Sequence, residues 1–181
     1  MKKHSKLIAG LFIVFITGFV VVWFLFPAAE QKLCKEFLTL LYTSDGSRFQ
    51  QLQKELGASG PGSSAASGVY PVPAEPYERY YEHFNTLLSS SAYESFAANG
   101  HMLDVDKFCT DNHTNLKVNS ISFKQDIRFK GGIQYRYSIV IGSDYVATET
   151  QGVLVLKRVH LGKYLIDYFK PFERQPFKNL L

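Results

Sequence analysis

Twenty successive positions, Leu7 to Phe26, carry no charge, and Thr17 is their only hydroxyl. As a helix they rise about 30 Å, the thickness of a bilayer's hydrocarbon core. After Pro27 the pattern becomes amphipathic. In Glu30 to Tyr42 the apolar Leu33, Phe37, Leu40 and Leu41 fall at i, i+4, i+7 and i+8, one face of a helix. Ser44-Asp45-Gly46 breaks it. Ser47 with Gln50 then reads as a capping box opening a short helix with Phe49, Leu52 and Leu56, stopped by Gly57. Pro76 suits the first helical position of the next, whose stripe is Tyr77, Tyr80, Tyr81, Phe84, Leu87 and Leu88. Ser91 with Glu94 predicts a second capping box, and Asn99-Gly100 the end of that helix.

The remainder has the period of strands. Ile121, Phe123, Ile127 and Phe129 alternate with Ser122, Lys124, Asp126 and Arg128. Leu116 and Val118 have the opposite parity, which predicts a β-bulge near Asn119-Ser120. Gly131-Gly132 reads as a hairpin turn. Ile133, Tyr135, Tyr137, Ile139 and Ile141 then share one face. Val153 to Val159 starts apolar on both faces, as a central strand does. Leu161-Gly162 turns into a fourth strand, Tyr164 to Phe169, and Pro171 and Pro176 mark a tail. Helices followed by a strand meander predict an α+β domain, helices packed on a curved antiparallel sheet of about four strands.

Lys2, Lys3 and Lys6 precede the apolar run and account for three of the four formal positive charges. With the positive side inside, residues 1–6 are expected in the cytoplasm, 7–26 in the bilayer and 27–181 in an extracytoplasmic domain. A cleaved leader is the alternative, but the run exceeds a leader's apolar core, and Phe26-Pro27-Ala28-Ala29 fits its cleavage site poorly. A lipoprotein fits less well, since Cys34 follows Gln31-Lys32-Leu33 rather than small residues. Beyond the run the charges nearly balance, and no Lys/Arg stripe is evident to track phosphates, so no nucleic-acid partner is expected. Residues 57–76 are rich in Gly, Ser and Pro and read as a surface insertion, because the roughly 30 residues before them cannot bury a core alone.

Cys34 and Cys109 are the only cysteines, and an exported domain permits a structural disulfide between them. Two buried free thiols are the alternative. A reactive thiol is disfavoured, with no C-x-x-C spacing or cationic neighbourhood. His83, His101, His113 and His160 are scattered, without metal-ligand spacing. Asp104-Val105-Asp106 lacks the Gly and terminal Glu of a calcium loop and reads as polar loop, as does Asp111-Asn112-His113. Asn112-His113-Thr114 matches a glycosylation acceptor, a pattern common by chance. No nucleophile elbow, Walker loop or dinucleotide fingerprint is present.

Cys34–Tyr42, Tyr77–Gly100 and Leu116–Phe169 together resemble the NTF2-like superfamily of cone-shaped α+β domains. An inward-facing tail, an anchor and such a domain also resemble VirB8-type scaffold subunits of conjugation machines, though the Asn-Pro-x-Gly turn of the bacterial family is absent. The first resemblance implies a pocket between sheet and helices, where Tyr135 and Tyr137 could offer hydroxyls. An enzyme of this kind would need a base, for which Asp167, between Ile166 and Tyr168, is the candidate. Asp126 alternates with Lys124 and Arg128 and reads as a solvated face. The leading expectation is a non-enzymatic, membrane-anchored interaction or scaffold domain that binds the bilayer through 7–26 and a protein partner or itself. The alternatives are a module for a small apolar ligand and, behind it, an enzyme using Asp167.

Overall fold

The structure is a computed structural model, and it describes residues 29–58, 74–143, 146–160 and 163–180. The expected span at 7–26, most of the Gly/Ser/Pro-rich segment and the Leu161-Gly162 turn lie outside the described residues. Among those described, no helix is long and apolar enough to cross a membrane. Among the described residues five α-helices, α1 (Ala29–Tyr42), α2 (Ser47–Ala58), α3 (Ala74–Tyr81), α4 (Ser90–Asn99) and α5 (His101–Asn112), precede four strands. These are β1 (Lys117–Phe129), β2 (Gly132–Gly142), β3 (Ala147–His160) and β4 (Lys163–Pro171). They form one antiparallel meander in the order β1-β2-β3-β4.

The helices cover one face of the curved sheet. On β2 the predicted apolar set Ile133, Tyr135, Tyr137, Ile139 and Ile141 is wholly buried. Leu154, Leu156 and Ile166 continue that layer across β3 and β4. From α1, Cys34, Phe37, Leu38 and Leu41 pack down on it. Ser44, just beyond α1, exchanges backbone hydrogen bonds of 2.8 and 3.0 Å with Leu116 at the head of β1. Glu30, in the first turn of α1, pairs with Arg128 near the end of β1 at 3.9 Å. Thus α1 runs antiparallel to β1, with its N-terminus beside the β1–β2 hairpin.

The bulge expected near Asn119-Ser120 is present, since the register with β2 shifts between Val118 and Ser120. A second shift lies between Gln125 and Ile127. It leaves Asp126 unpaired and moves Ile127 and Phe129 off the core face, so both are exposed rather than buried as the unbroken alternation predicts. The β1–β2 turn is Lys130-Gly131, one residue earlier than expected. Phe129 pairs with Gly132, and Gly131 takes φ +92°, which only glycine adopts without strain.

Local capping also differs. Asp45 Oδ1 accepts from the Ser47 amide at 2.9 Å, so α2 begins one step before the predicted box. Ser89, not Ser91, caps α4, accepting from the Ala92 amide at 3.3 Å. The aromatic stripe after Pro76 is α-helical only to Tyr81. It tightens to a 3₁₀ turn through Phe84, and Leu88 then bridges in parallel to Ile166 on β4. Residues 101–112, expected as loop, form α5. Its three aspartates mask the buried positions Met102, Val105, Phe108 and Cys109.

The expected disulfide is not formed, because both cysteines are buried free thiols. The Cys109 thiol donates to the Ser44 carbonyl at 3.5 Å, beyond the C-terminus of α1. Cys34 lies in the second turn, and eight helical residues to Tyr42 place the two sites roughly 12 Å apart. A disulfide needs Cα atoms within about 7 Å. Burial pushes the Cys34 thiol up to about 12, with the Glu30 charge adding to it. The native protein is expected to resist alkylation at pH 8 and to take up two alkyl groups only after denaturation. A native mass two daltons below the reduced chain would contradict this.

Gly152 on β3 faces Tyr137 of β2 in register. A Cβ at 152 would collide with the Tyr137 hydroxyl and with the Lys170 carbonyl. Neither a buried ring nor a paired backbone can withdraw, so Gly152→Ala is expected to destabilise by about 1–3 kcal/mol in urea unfolding. An unchanged midpoint would show that the two strands part without cost.

Candidate functional site

The opposite face of the sheet carries no described helix. Its positions follow from the register. One row across the strands is Ile127, Gln134, Val155 and Tyr168, and the next is Lys124, Arg136, Val153 and Lys170. Ile127 is 55% exposed and Tyr168 49%, while Val153 and Val155 are half-buried. The face therefore combines an apolar stripe with exposed cations. One of its carboxylates, Asp126, projects from the second bulge and pairs with Arg136 at 3.4 Å. Gln134 also donates to Asp126, at 3.5 Å. Among the described residues no helix covers this face, and covering it would bury apolar surface at about 25 cal/mol per Å².

The residues expected to line a ligand pocket do not come together. Tyr135 and Tyr137 are core residues, 2% and 1% exposed. The Tyr137 ring stacks on Phe169 at 6.3 Å. Its hydroxyl lies near Tyr42, but the two fall short of a well-formed hydrogen bond. Burial first, and then Tyr42, drive the Tyr137 phenol far above its ordinary value, so it stays protonated. Asp167 sits elsewhere, at a register shift in β4 between Ile166 and Tyr168. Its Oδ1 accepts from the Ser89 hydroxyl at 2.7 Å, tying the N-terminus of α4 to the strand.

Asp167 does line a cleft of about 230 Å³ with Ser91, Ser95, Phe96, His101 and Phe169. The tyrosines at 135 and 137 are not among its lining residues. His101 packs edge-on against Phe169 at 5.3 Å. Burial, followed by the Arg174 charge, lowers its pKa, and Asp104 partly opposes them. Serine, histidine and aspartate thus share one cleft, but the described hydrogen bonds link Ser89 with Ser91 and Asp167, and Ser95 with Asn99, and none joins the imidazole to a hydroxyl. The Ser–His contact required to activate a nucleophile is missing.

A buried polar centre that the sequence pattern conceals lies under α2. Asp106 is fully buried and accepts two bonds from Arg48, at 3.0 and 2.8 Å. The Tyr80 hydroxyl adds a third, at 2.6 Å. Arg48 also donates to the carbonyls of Leu40 and Thr43, 3.3 and 3.1 Å away. One guanidinium and one carboxylate thereby join α1, α2, α3 and α5. The signal for this knot would have been α5 itself, whose period places Asp106 among Met102, Val105 and Cys109. Beside it, a cleft of about 240 Å³ is walled by Arg48, Glu55, Arg79, Tyr80 and His83. No group of three or more metal-ligating side chains occurs among the described residues.

Removing the carboxylate leaves Arg48 and the Tyr80 hydroxyl without their acceptor. Asp106→Ala is expected to cost about 3 kcal/mol. Adding Arg48→Met to it should recover part of that loss in the same denaturation measurement, because no charge is then left unpaired. Two additive losses would show that the pair is not coupled.

Comparison with protein-family models, curated proteins and solved structures finds no match to this chain.

Proposed function

We propose that this protein is a non-enzymatic interaction domain, anchored by residues 7–26 and held outside the cytoplasm, which docks a protein partner or a second copy on its uncovered sheet face. The observation that carries this reading is that face itself, where Ile127 and Tyr168 stand exposed beside Val153 and Val155. The uncharged run and the three preceding lysines support the anchor and its orientation. A tether favours such a role, because confinement at a membrane raises the effective concentration of neighbours. We read the helix-on-sheet arrangement as NTF2-like, on its element order and on the bulged, curved meander. A scaffold role in an envelope assembly, as for VirB8-type subunits, fits the same arrangement.

The ligand-binding and enzymatic readings have less support. Tyr135 and Tyr137 fill the space between sheet and helices that an apolar ligand would take. Asp167 is held by Ser89 rather than poised over a cavity with those tyrosines.

Crosslinking in native membranes, followed by mass identification, tests the docking face. Ile127→Glu combined with Tyr168→Glu is expected to reduce the main crosslinked species by at least about tenfold, since an uncompensated carboxylate buried in an interface costs well over 1.4 kcal/mol. The fold should persist, because both side chains are exposed. An unchanged crosslink would refute this face as the interface. Protease added to intact cells should cleave the domain, and its survival would refute the orientation.

A further inference from the structure

The β1–β2 hairpin lies beside the start of α1, and the β3–β4 arm reaches the same end of the sheet. The Arg158 amide donates to the Gly131 carbonyl at 2.7 Å, joining the β3–β4 arm to the β1–β2 turn. Glu30, one residue into α1, pairs with Arg128 of that same turn. This end carries Arg128, Lys130, Lys157, Arg158 and Lys163, all exposed. Glu30 is the carboxylate among them, and its charge is already met by Arg128. Asp126, two residues before Arg128, is met by Arg136. Phe129 and Val159 stand among the cations, 48% and 37% exposed. The Phe129 ring packs beside Gly132, where a Cβ would strike its Cε2 and Cζ. Exposed aromatic and branched side chains within a cluster of like charges give the folded domain nothing by themselves.

The position of this cluster follows from the anchored reading, on which the inference rests. If the span ends at Phe26, three residue steps separate it from Ala29, about 10 Å of chain at most. The start of α1, and the β1–β2 turn beside it, then lie within about a Debye length of the headgroups. We propose that the described cations at this end, Arg128, Lys130, Lys157, Arg158 and Lys163, form a contact for anionic phospholipid headgroups of the bilayer that holds the anchor. The cations attract the surface charge, and Phe129 and Val159 enter the interface. The contact sets the domain's tilt and points the uncovered sheet face sideways, along the membrane, toward neighbours tethered in the same plane.

The full chain, carrying Phe129→Trp in a Trp23→Phe background, is reconstituted into vesicles of phosphatidylcholine alone or with one third phosphatidylglycerol. Quenching of the tryptophan by brominated acyl chains is expected to be about twofold stronger in the anionic vesicles. It should fall to the neutral-lipid level in about 0.5 M salt, and also when Lys130, Lys157 and Lys163 are changed to Gln. Equal quenching in the two lipids, or quenching indifferent to salt and to the Gln changes, would overturn the lipid contact while leaving the anchor in place. Release of the chain from vesicles by alkaline carbonate would instead overturn the anchored reading, and the lipid contact with it.

Discussion

Phe37 is the contact on which the rest of the arrangement depends. Projecting from the middle of α1, it meets Phe84 at 5.7 Å, Phe96 at 5.5 Å and Phe169 at 5.1 Å, all edge-on. Those rings belong to the 3₁₀ turn after α3, to α4 and to β4. One side chain therefore fixes three elements against α1, through edge-to-face pairs each adding about 0.5–1.5 kcal/mol beyond burial. The Ser44–Leu116 bonds and the Glu30–Arg128 pair at its two ends set the direction of α1 along the sheet. That direction decides which hairpin lies beside the helix start, and so which end of the domain a tether would bring to a membrane.

The two faces of the sheet are made unlike by bulges. Without the irregularity at Asp126, Ile127 and Phe129 would point inward with Ile121 and Phe123, and β1 would be an ordinary amphipathic edge. The extra residue sends the last turn of apolar side chains outward. The sheet thereby gains an apolar stripe on the side that no described helix covers, and an aromatic ring at its tip. A similar irregularity at Asp167 turns that carboxylate toward Ser89 and α4. In both places a residue that breaks the strand period serves an interaction away from the core.

Polar groups inside the helical layer are handled differently. Asp106 is buried with its bonds supplied by Arg48 and Tyr80. The two thiols are buried in separate places, and the hydroxyls of Tyr81 and Tyr137 have no partner. The paired centre links four helices and the orphan hydroxyls link none.

The sequence by itself determined the elements whose burial is periodic. The α1 face, the inward row on β2, the bulge at Asn119 and the α4 end at Gly100 were all legible there, because each depends on spacing along a few residues. It determined the α+β class for the same reason. The helical nature of 101–112 was hidden by three aspartates, one of which is buried only because Arg48, 58 positions earlier, reaches it. The bulge at Asp126 was hidden because apolar residues on both sides keep an unbroken alternation. Only the tertiary structure decided that Cys34 and Cys109 stand apart, that Asp167 is separated from Tyr135 and Tyr137, and which side of the sheet the described helices cover. These depend on where distant segments meet in space, and spacing along the chain carries no record of that.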